Sequence, residues 1–421
     1  MKIYIYSINY WPEETGIGAF TTTRAEYLAS VGHDVTVFTT FPYYPEWKVR
    51  SGYKGRLFST EERNGVRVIR SYAYVPERVS SLKRVIHEAS FIISSFLRSL
   101  GSKRPDLLYV VSPPLGLGAS VQFMRLRWRV PYLFEVEDLQ PDAAADLNML
   151  PRFVLKAMYR VELMAYRNAS KVATLTGGMR ERIVEKGIRL ESVVLFEPRA
   201  DESLKDISPG EAKRFRERFN LGDKFIVSHS GNIGIKQGLE VILDTAKLIQ
   251  FDDSIVFLIV GDGAAKKSIQ MRAEQLNLKN VLFLPLLETQ DFRGLLGATD
   301  IAIVTQKKTV SDIVFPSKTV TYLVAGCPVV ASVNERSELA RTIAESGAGL
   351  VVSPEDPGKL LEGIRNLRSQ DLESCRLKAR EYALNRWSGA RVLGFLNRTV
   401  NQCRKENVAL ESKTAREECD W

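Results

Sequence analysis

The 421-residue sequence predicts an α/β fold with two doubly wound domains in tandem. Short runs rich in β-branched and aromatic residues alternate with helical stretches, which is typical of parallel sheets covered by helices. This alternation stops once, in a polar segment after residue 196, and then resumes. The length also exceeds one ordinary core, because domains usually contain roughly 100 to 200 residues.

The first series of predicted strands lies within residues 1–196 and comprises KIYIYS, DVTVFTT, VRVIR, LLYVVS, PYLFEVED, KVATLT and SVVLF. Residues 197–222 are polar and charged and contain two prolines, so we predict a linker there. The second series fills residues 223–385 with KFIVSHSG, IVFLIVGDG, VLFLP, IAIVTQ, PVVAS and GLVVS. A terminal helix over about 386–405 and a polar tail, 406–421, are predicted to follow.

Composition narrows the class of protein. The chain is 45% hydrophobic and 26% charged, which is typical of a globular protein. Its four cysteines are scattered and its amino terminus lacks the features of a signal peptide, so we expect a cytoplasmic protein. No apolar run approaches the roughly 18 to 20 residues of a spanning helix. The net charge of +9 fits a phosphate-rich partner, although solubility alone is an alternative explanation.

Glycine-rich turns follow predicted strands in both halves of the chain. Gly16 and Gly18 separate the first strand from a helix with a predicted apolar face of Phe20, Tyr27, Leu28 and Val31. In the second half, SGNIGIKQG places Gly231, Asn232, Lys236 and Gln237 at the same kind of turn. Because helix N-termini present unpaired N–H groups, both turns are candidates for phosphate binding.

Two further turns of the second half fit the same chemistry. Gly261 and Asp262 end a strand in IVGDG, and Pro316, Ser317 and Lys318 start a helix in FPSK. In the first half, the acidic residues Glu135, Glu137, Asp138, Asp142 and Asp146 lie at a strand end and in the following loop. We expect a solvated loop there and take Asp138 as a catalytic or acceptor-binding candidate. Neither metal-ligand spacing nor a nucleophile elbow is present.

The segment PERVSSLKRVIHEASFIISSFLRSLGSKRP, residues 76–105, contains a helical apolar stripe: Leu82, Val85, Ile86, Ala89, Ile93, Phe96, Leu97 and Leu100. Lys83, Arg84 and Arg98 give this segment a positive charge, and nearby MRLRWRV adds further arginines and Trp128. Such a helix can lie on anionic lipid headgroups or pack on the sheet, and both interpretations stay open at this point. Nucleic-acid binding is not expected, because the basic helices and aromatic platforms of the known modules are absent.

Several motifs in this order resemble those of the family 4 glycosyltransferases: INYWPEETGIG, FPYYPEWKV, SLKRVIHEASFIISSF, SGNIGIKQGLE, VGDG, FPSKT and SELA. The chain is most similar to the bacterial members that transfer fucose or N-acetylfucosamine in polysaccharide assembly. This resemblance implies a GT-B fold, in which two Rossmann-like domains face each other across a cleft. It also implies that 1–196 binds the acceptor, that 223–385 binds the nucleotide sugar, and that the terminal helix packs back on the first domain.

The resemblance also implies roles for single residues. Gly16 and Gly18 would border the donor phosphate and the reacting hydroxyl, and Lys236 would act on the diphosphate. Asn232 and Gln237 depart from the Arg and Lys that are common at these positions, and Ile313 and Thr321 replace a pair of glutamates. Asp312 is therefore our candidate for sugar recognition, with Glu335 and Glu338 in reserve. The implied donor site comprises Gly231, Asn232, Lys236, Gln237, Gly261, Asp262, Asp312, Pro316, Ser317, Lys318 and Thr321.

The implied reaction is retaining transfer of a hexose from a UDP or GDP sugar to a polyprenyl-diphosphate-linked saccharide. It would serve the synthesis of a bacterial surface polysaccharide, such as capsule or O-antigen, at the inner face of the plasma membrane. No metal or other cofactor is expected, because Lys236 and Lys318 can neutralise the leaving diphosphate. Two alternatives stay open: a nucleotide-sugar 2-epimerase of GT-B fold, and a non-catalytic carbohydrate- or membrane-binding protein.

Overall fold

A computed structural model of the chain describes residues 1–13, 16–78, 80–146, 150–309 and 317–419. The chain divides into two compact units. The first contains Met1–Glu197 together with Leu393–Trp421, and the second contains Pro198–Val392.

The first unit is built on an eight-stranded sheet. Its strands are β1 (Lys2–Tyr6), β2 (Asp34–Thr40), β3 (Phe58–Arg63), β4 (Val66–Ser71), β5 (Leu107–Ser112), β6 (Tyr132–Val136), β7 (Lys171–Thr174) and β8 (Val193–Leu195). They lie in the order β3-β4-β2-β1-β5-β6-β7-β8, and every pair is parallel except β3–β4. The β3–β4 hairpin turns at Asn64 and Gly65, both at positive φ, as a tight two-residue hairpin requires. Strand β3 was not predicted, because its exposed, charged residues give no apolar run.

Helices cover this sheet: α1 (Gly16–Ser30), α2 (Ser81–Leu100), α3 (Leu117–Trp128), α4 (Gln140–Asp146), α5 (Arg152–Arg167) and α6 (Gly177–Glu185). The buried face of α1 differs from the predicted one. It consists of Gly18, Thr21, Arg24, Ala25 and Leu28, while Val31 is exposed. The prediction is right for Leu28 and wrong for Val31, and it omitted Arg24, which points into the unit and donates to buried carboxylates.

The second unit contains a six-stranded parallel sheet in the order β11-β10-β9-β12-β13-β14. Its strands are β9 (Phe225–Ser230), β10 (Ile255–Val260), β11 (Val281–Leu284), β12 (Ile301–Thr305), β13 (Val329–Ser332) and β14 (Gly349–Val352). The order reverses between β9 and β12, as in doubly wound dinucleotide-binding folds. Almost every residue of β10 and β12 is apolar, because both faces of the sheet are covered.

Eight helices of the described chain belong to this unit: α7 (Pro209–Arg218), α8 (Glu240–Leu248), α9 (Lys266–Gln275), α10 (Thr289–Ala298), α11 (Ser317–Ala325), α12 (Glu338–Ser346), α13 (Pro357–Arg368) and α14 (Leu372–Trp387). Most of the segment that composition marks as a linker, 197–222, lies in this unit. It forms a 3-10 turn, Glu202–Asp206, and α7, whose Phe215 packs with Ile226 and Leu258. Charged residues dominate the segment 197–222 because α7 buries little side-chain surface other than that of Phe215.

The last helix, α15 (Gly389–Cys419), begins in the second unit and continues in the first. Its Leu393, Leu396, Val400 and Cys403 are buried in a core cluster with residues of the first sheet. Asn397 Oδ1 also lies 2.8 Å from His33 Nε2. The carboxyl-terminal helix therefore supplies part of the core of the first unit.

Candidate functional site

The switch point of the second sheet, between β9 and β12, is where folds of this kind bind ligands. Gly231 follows β9 directly and has a φ of 116°, a conformation that favours glycine. A Cβ placed on Gly231 would lie 3.5 Å from Lys318 Cε and 3.6 Å from Lys318 Nζ. The structure thus brings together two residues that lie 87 positions apart in the sequence, at the carboxyl end of β9.

Lys318 lies in the first turn of α11, where the backbone N–H groups of the helix have no intrahelical partner. Its Nζ lies 3.0 Å from His229 Nε2. Burial lowers the pKa of Lys318 to about 8. Within the described ranges this ammonium forms no ion pair with a carboxylate. The group therefore combines a positive charge with little solvation, which suits it to bind an anion.

Glycines in the neighbouring turns allow these turns to pack against each other. A Cβ on Gly261 would lie 1.9 Å from the carbonyl oxygen of Gly231, and one on Gly263 would lie 2.4 Å from that of Ile233. The Ile233 N–H donates to the carbonyl of Asp262 at 2.8 Å. The need for glycine at 261 and 263 is thus explained by contacts within the protein, whatever ligand binds there.

The remaining predicted donor residues lie around this centre. Asn232 and Gln237 flank Gly234, since a Cβ there would lie 2.9 Å from Asn232 Nδ2 and 2.6 Å from Gln237 Oε1. Lys236 is exposed in the 3-10 turn Ile235–Gln237 that precedes α8. Asp262 is exposed beside Lys266, with 3.6 Å between Oδ2 and Nζ.

Ser317 is the exposed first residue of α11, and Thr321 is half-buried one turn later. Asp312, Ile313 and Pro316 lie outside the described residues.

Two polar residues of this region were missed as site residues by the sequence analysis. His229 is fully buried on β9, and Tyr322 on α11 accepts the backbone N–H of Ser230 at its hydroxyl, at 2.6 Å. Burial raises the pKa of Tyr322 to about 12. The available signal was the unusual run of polar residues, SHS, at the end of an otherwise apolar strand.

In the first unit, α1 starts at Gly16, whose φ is 58° and whose Cβ position is open. Gly18 is different, because a Cβ there would lie 2.8 Å from the carbonyl oxygen of Glu13. The buried Glu13 carboxylate in turn accepts the backbone N–H groups of Tyr43 and Tyr44, both at 2.8 Å. Gly18 therefore permits a close approach of the chain to itself, and Glu13 links the segments that follow β1 and β2.

The acidic segment after β6 is not the solvated loop that the sequence predicts. Glu135 and Glu137 are buried, and Arg24 donates to both carboxylates, with 3.0 Å between Arg24 Nη1 and Glu137 Oε1. The Tyr109 hydroxyl donates to Glu135 at 2.5 Å. Burial, with the Glu135 charge beside it, raises the pKa of Glu137, although Arg24 opposes this shift. This network holds the end of β6 in place. The exposed Asp138 follows this strand end.

Asp142 is also buried and pairs with Lys186, and the side chain of Asp146 lies outside the described residues. Among the described acidic side chains of this segment, Asp138 alone is exposed and could reach an acceptor from the surface. Its role there stays a prediction.

Helix α2 packs on the sheet through a face that the sequence did not identify, namely His87, Phe91, Ser95 and Ser99. Most of the predicted apolar stripe points outward: Leu82 is 71% exposed, and Val85, Ile86, Ile93 and Leu97 are also exposed. Phe123 and Leu126 on α3 are exposed too, and Phe96 contacts Phe123 edge to face at 5.3 Å. The interpretation that this stripe packs on the sheet is therefore wrong for these exposed residues.

Of the predicted membrane residues, Lys83, Arg84 and Arg98 are exposed on α2. Trp128 is buried, with its ring edge to face against Tyr4 at 5.9 Å. It is therefore a core residue of the first unit, because the end of α3 faces β1 rather than solvent.

Within the described part of the chain, no three His, Cys, Asp or Glu side chains form a cluster that could hold a metal ion. No helix among the same residues combines the length and the apolarity needed to cross a bilayer.

Comparisons with known proteins agree with this architecture. Residues 15–198 match the model of the glycosyl transferase 4-like domain, and residues 211–386 match that of glycosyl transferases group 1. WcaI of Escherichia coli strain K12, a glycosyl transferase named for colanic acid biosynthesis, is 33% identical over 394 residues, which cover 91% of this chain and 95% of WcaI. This chain belongs to the family 4 glycosyltransferases. Its resemblance to them, inferred above from motif order, is confirmed.

Solved structures of other glycosyltransferases share the fold of this one. HepE of Anabaena, solved in complex with UDP, has a TM-score of 0.70 at 17% identity and covers 95% of this chain and 100% of its own. WaaG, a glycosyltransferase involved in lipopolysaccharide biosynthesis, has a TM-score of 0.66 at 15% identity and covers 94% of this chain and 99% of its own. The predicted α/β class with two Rossmann-like sheets, the GT-B fold, is therefore confirmed.

Proposed function

We propose that this glycosyltransferase transfers a hexose, with retention, from a nucleoside-diphosphate sugar to a polyprenyl-diphosphate-linked saccharide. The observation that supports this most directly is the partly buried Lys318 ammonium beside the Gly231 turn, at the switch point of the second sheet. The name of the E. coli relative and the UDP complex of HepE support a role in bacterial polysaccharide synthesis and a nucleotide donor. A sugar of the fucose or N-acetylfucosamine type follows from the motif resemblance.

The proposed chemistry needs mainly electrostatic help. As the bond between the anomeric carbon and the diphosphate oxygen breaks, the electron pair goes to the diphosphate, and an acceptor hydroxyl oxygen bonds to the same carbon. Its proton passes to the leaving phosphate oxygen, so a strong protein base is not required. Lys318, Lys236 and the first turn of α11 would stabilise the developing negative charge. We propose on this basis that the reaction needs no metal.

A mass-spectrometric screen tests this function directly. UDP- and GDP-sugars are incubated with a polyprenyl-diphosphate monosaccharide, with and without EDTA, and the anomeric configuration of the product is read by NMR. We expect one donor to give a disaccharide lipid with the donor's configuration retained, at the same rate in EDTA. Epimerisation of a donor incubated alone would favour the epimerase instead, and an inverted product would contradict the mechanism.

We further propose that the enzyme docks on an anionic membrane through the exposed faces of α2 and α3. Leu82, Val85 and Leu126 offer apolar contact, and the exposed Lys83, Arg84, Arg98, Arg127 and Arg129 add basic side chains on or next to the same two helices. Arg84 pairs with Glu88 at 3.3 Å, so the net positive charge of this surface comes mainly from Lys83, Arg98, Arg127 and Arg129. Such a surface suits anionic headgroups and would bring the enzyme to a lipid-linked acceptor.

The double variant Lys83→Glu/Arg84→Glu is expected to bind liposomes containing anionic lipid at least tenfold more weakly than the wild type. Each basic residue near such a surface contributes about 1 kcal/mol, and both side chains are exposed, so folding should be unaffected. Co-sedimentation measures the binding. Lys213→Glu/Arg214→Glu makes the same charge change on exposed positions of α7 and should bind normally. Equal loss in both variants would attribute binding to net charge alone.

A further inference from the structure

His229 is a buried polar residue to which the proposed reaction assigns no role. Its ring lies on β9, with Nδ1 3.3 Å from the carbonyl oxygen of Ile303 on β12 and Nε2 3.0 Å from Lys318 Nζ. Burial, with the Lys318 charge beside it, lowers the pKa of His229 well below its usual value, against the opposing effect of the Ile303 and Asn232 carbonyls. The ring is therefore neutral near pH 7.

The partners of a neutral imidazole determine which nitrogen bears the proton. The carbonyl of Ile303 can only accept, so Nδ1 carries the hydrogen and donates to it. Nε2 then presents its lone pair to Lys318, whose ammonium can only donate. A buried acceptor thus faces the partly buried positive charge of Lys318.

The geometry points to His229 as a positioning residue that holds the Lys318 ammonium against the Gly231 turn, ready for the diphosphate of the donor. This inference rests on the proposed function, since it concerns the same donor site. Lys318 reaches the turn from the first residues of α11, and its stem lies along Gly231. A lysine side chain has many rotamers, so fixing one of them before the ligand arrives reduces the entropy lost on binding.

A thermodynamic cycle on nucleotide binding tests this role. UDP and GDP are titrated calorimetrically into the wild type, His229→Phe, Lys318→Met and the double variant. Phenylalanine keeps a ring of similar size but removes the acceptor. We expect His229→Phe to weaken binding about tenfold in the wild-type background, because a hydrogen bond to a charged group is lost. In the Lys318→Met background the same change should have no effect, since the two residues then no longer interact.

A conservative variant separates positioning from general packing. His229→Gln retains an acceptor oxygen near the position of Nε2 and should recover most of the affinity that His229→Phe loses. If His229→Phe weakens binding equally in both backgrounds, or does not weaken it, the positioning role is wrong while the donor site stands. If the wild type binds neither UDP nor GDP, the proposed donor site fails, and this inference fails with it.

Discussion

Lys318→Met is expected to lower kcat/KM for sugar transfer by about 100-fold or more. Removing one preorganised donor from a site where charge develops typically costs a factor of 10² to 10³ in rate. Methionine keeps an unbranched apolar stem of similar length, so the change removes the ammonium while leaving the contact with Gly231. The rate is measured with the donor and acceptor identified in the screen.

Lys267→Met provides the matched control for this prediction. Lys267 is exposed on α9 of the same unit, so its replacement removes one positive charge without touching the switch point. Transfer by this variant should equal that of the wild type, and the melting temperatures of both variants should stay close to the wild-type value. Normal transfer by Lys318→Met would exclude the assigned role and leave the diphosphate to Lys236.

Arg24→Met is expected to lower the free energy of unfolding by about 3 to 5 kcal/mol, the usual cost of breaking a buried ion pair. The loss would leave Glu135 and Glu137 buried without their common cation. It would also remove the contacts of the guanidinium with the rings of Phe20 and Phe196, at 5.7 and 5.5 Å from their centroids. Urea denaturation followed by circular dichroism measures the effect.

The cause of this loss can be tested in two ways. Adding Glu135→Gln and Glu137→Gln should restore much of the stability, because no unpaired charge then remains buried. The cost should also be smaller at pH 5 than at pH 8. Burial raises the folded-state pKa of Glu137, and without Arg24 nothing from that guanidinium opposes the shift, so the stability retained at low pH is lost as the pH rises through the folded pKa. A cost that is independent of pH would indicate lost packing rather than unpaired charge.

Strands and glycine turns were predictable from the sequence, because apolar runs between turn residues define the strands of a covered parallel sheet. The faces of the helices were less predictable. Arg24 is a charged residue, and such residues are ordinarily expected at the surface. Only the fold shows that it donates to the carboxylates of Glu135 and Glu137, which lie 111 and 113 residues further along the chain. On α2, the sequence pattern does not show which face of the helix packs on the sheet. The structure buries the face with His87 and Phe91 and leaves most of the apolar stripe exposed.

The candidate donor site was also predictable from the sequence only in part. Gly231 and Lys318 were identified as separate motifs, since each lies at a turn with the right local chemistry. Their contact depends on β9 and α11 meeting at the switch point, which local patterns do not encode. His229 was missed because a lone histidine in an apolar strand is ordinarily a core residue. Only the structure shows that the Lys318 ammonium lies beside its ring.

Helix α15 has a consequence for the order in which the protein is made. The core of the first unit needs Leu396, Val400 and Cys403, which are translated after the whole of the second unit. The second unit is one continuous stretch, Pro198–Val392, so all of its residues emerge before the first unit can close its core. During synthesis, the core formed by Met1–Glu197 therefore stays incomplete until α15 has been translated.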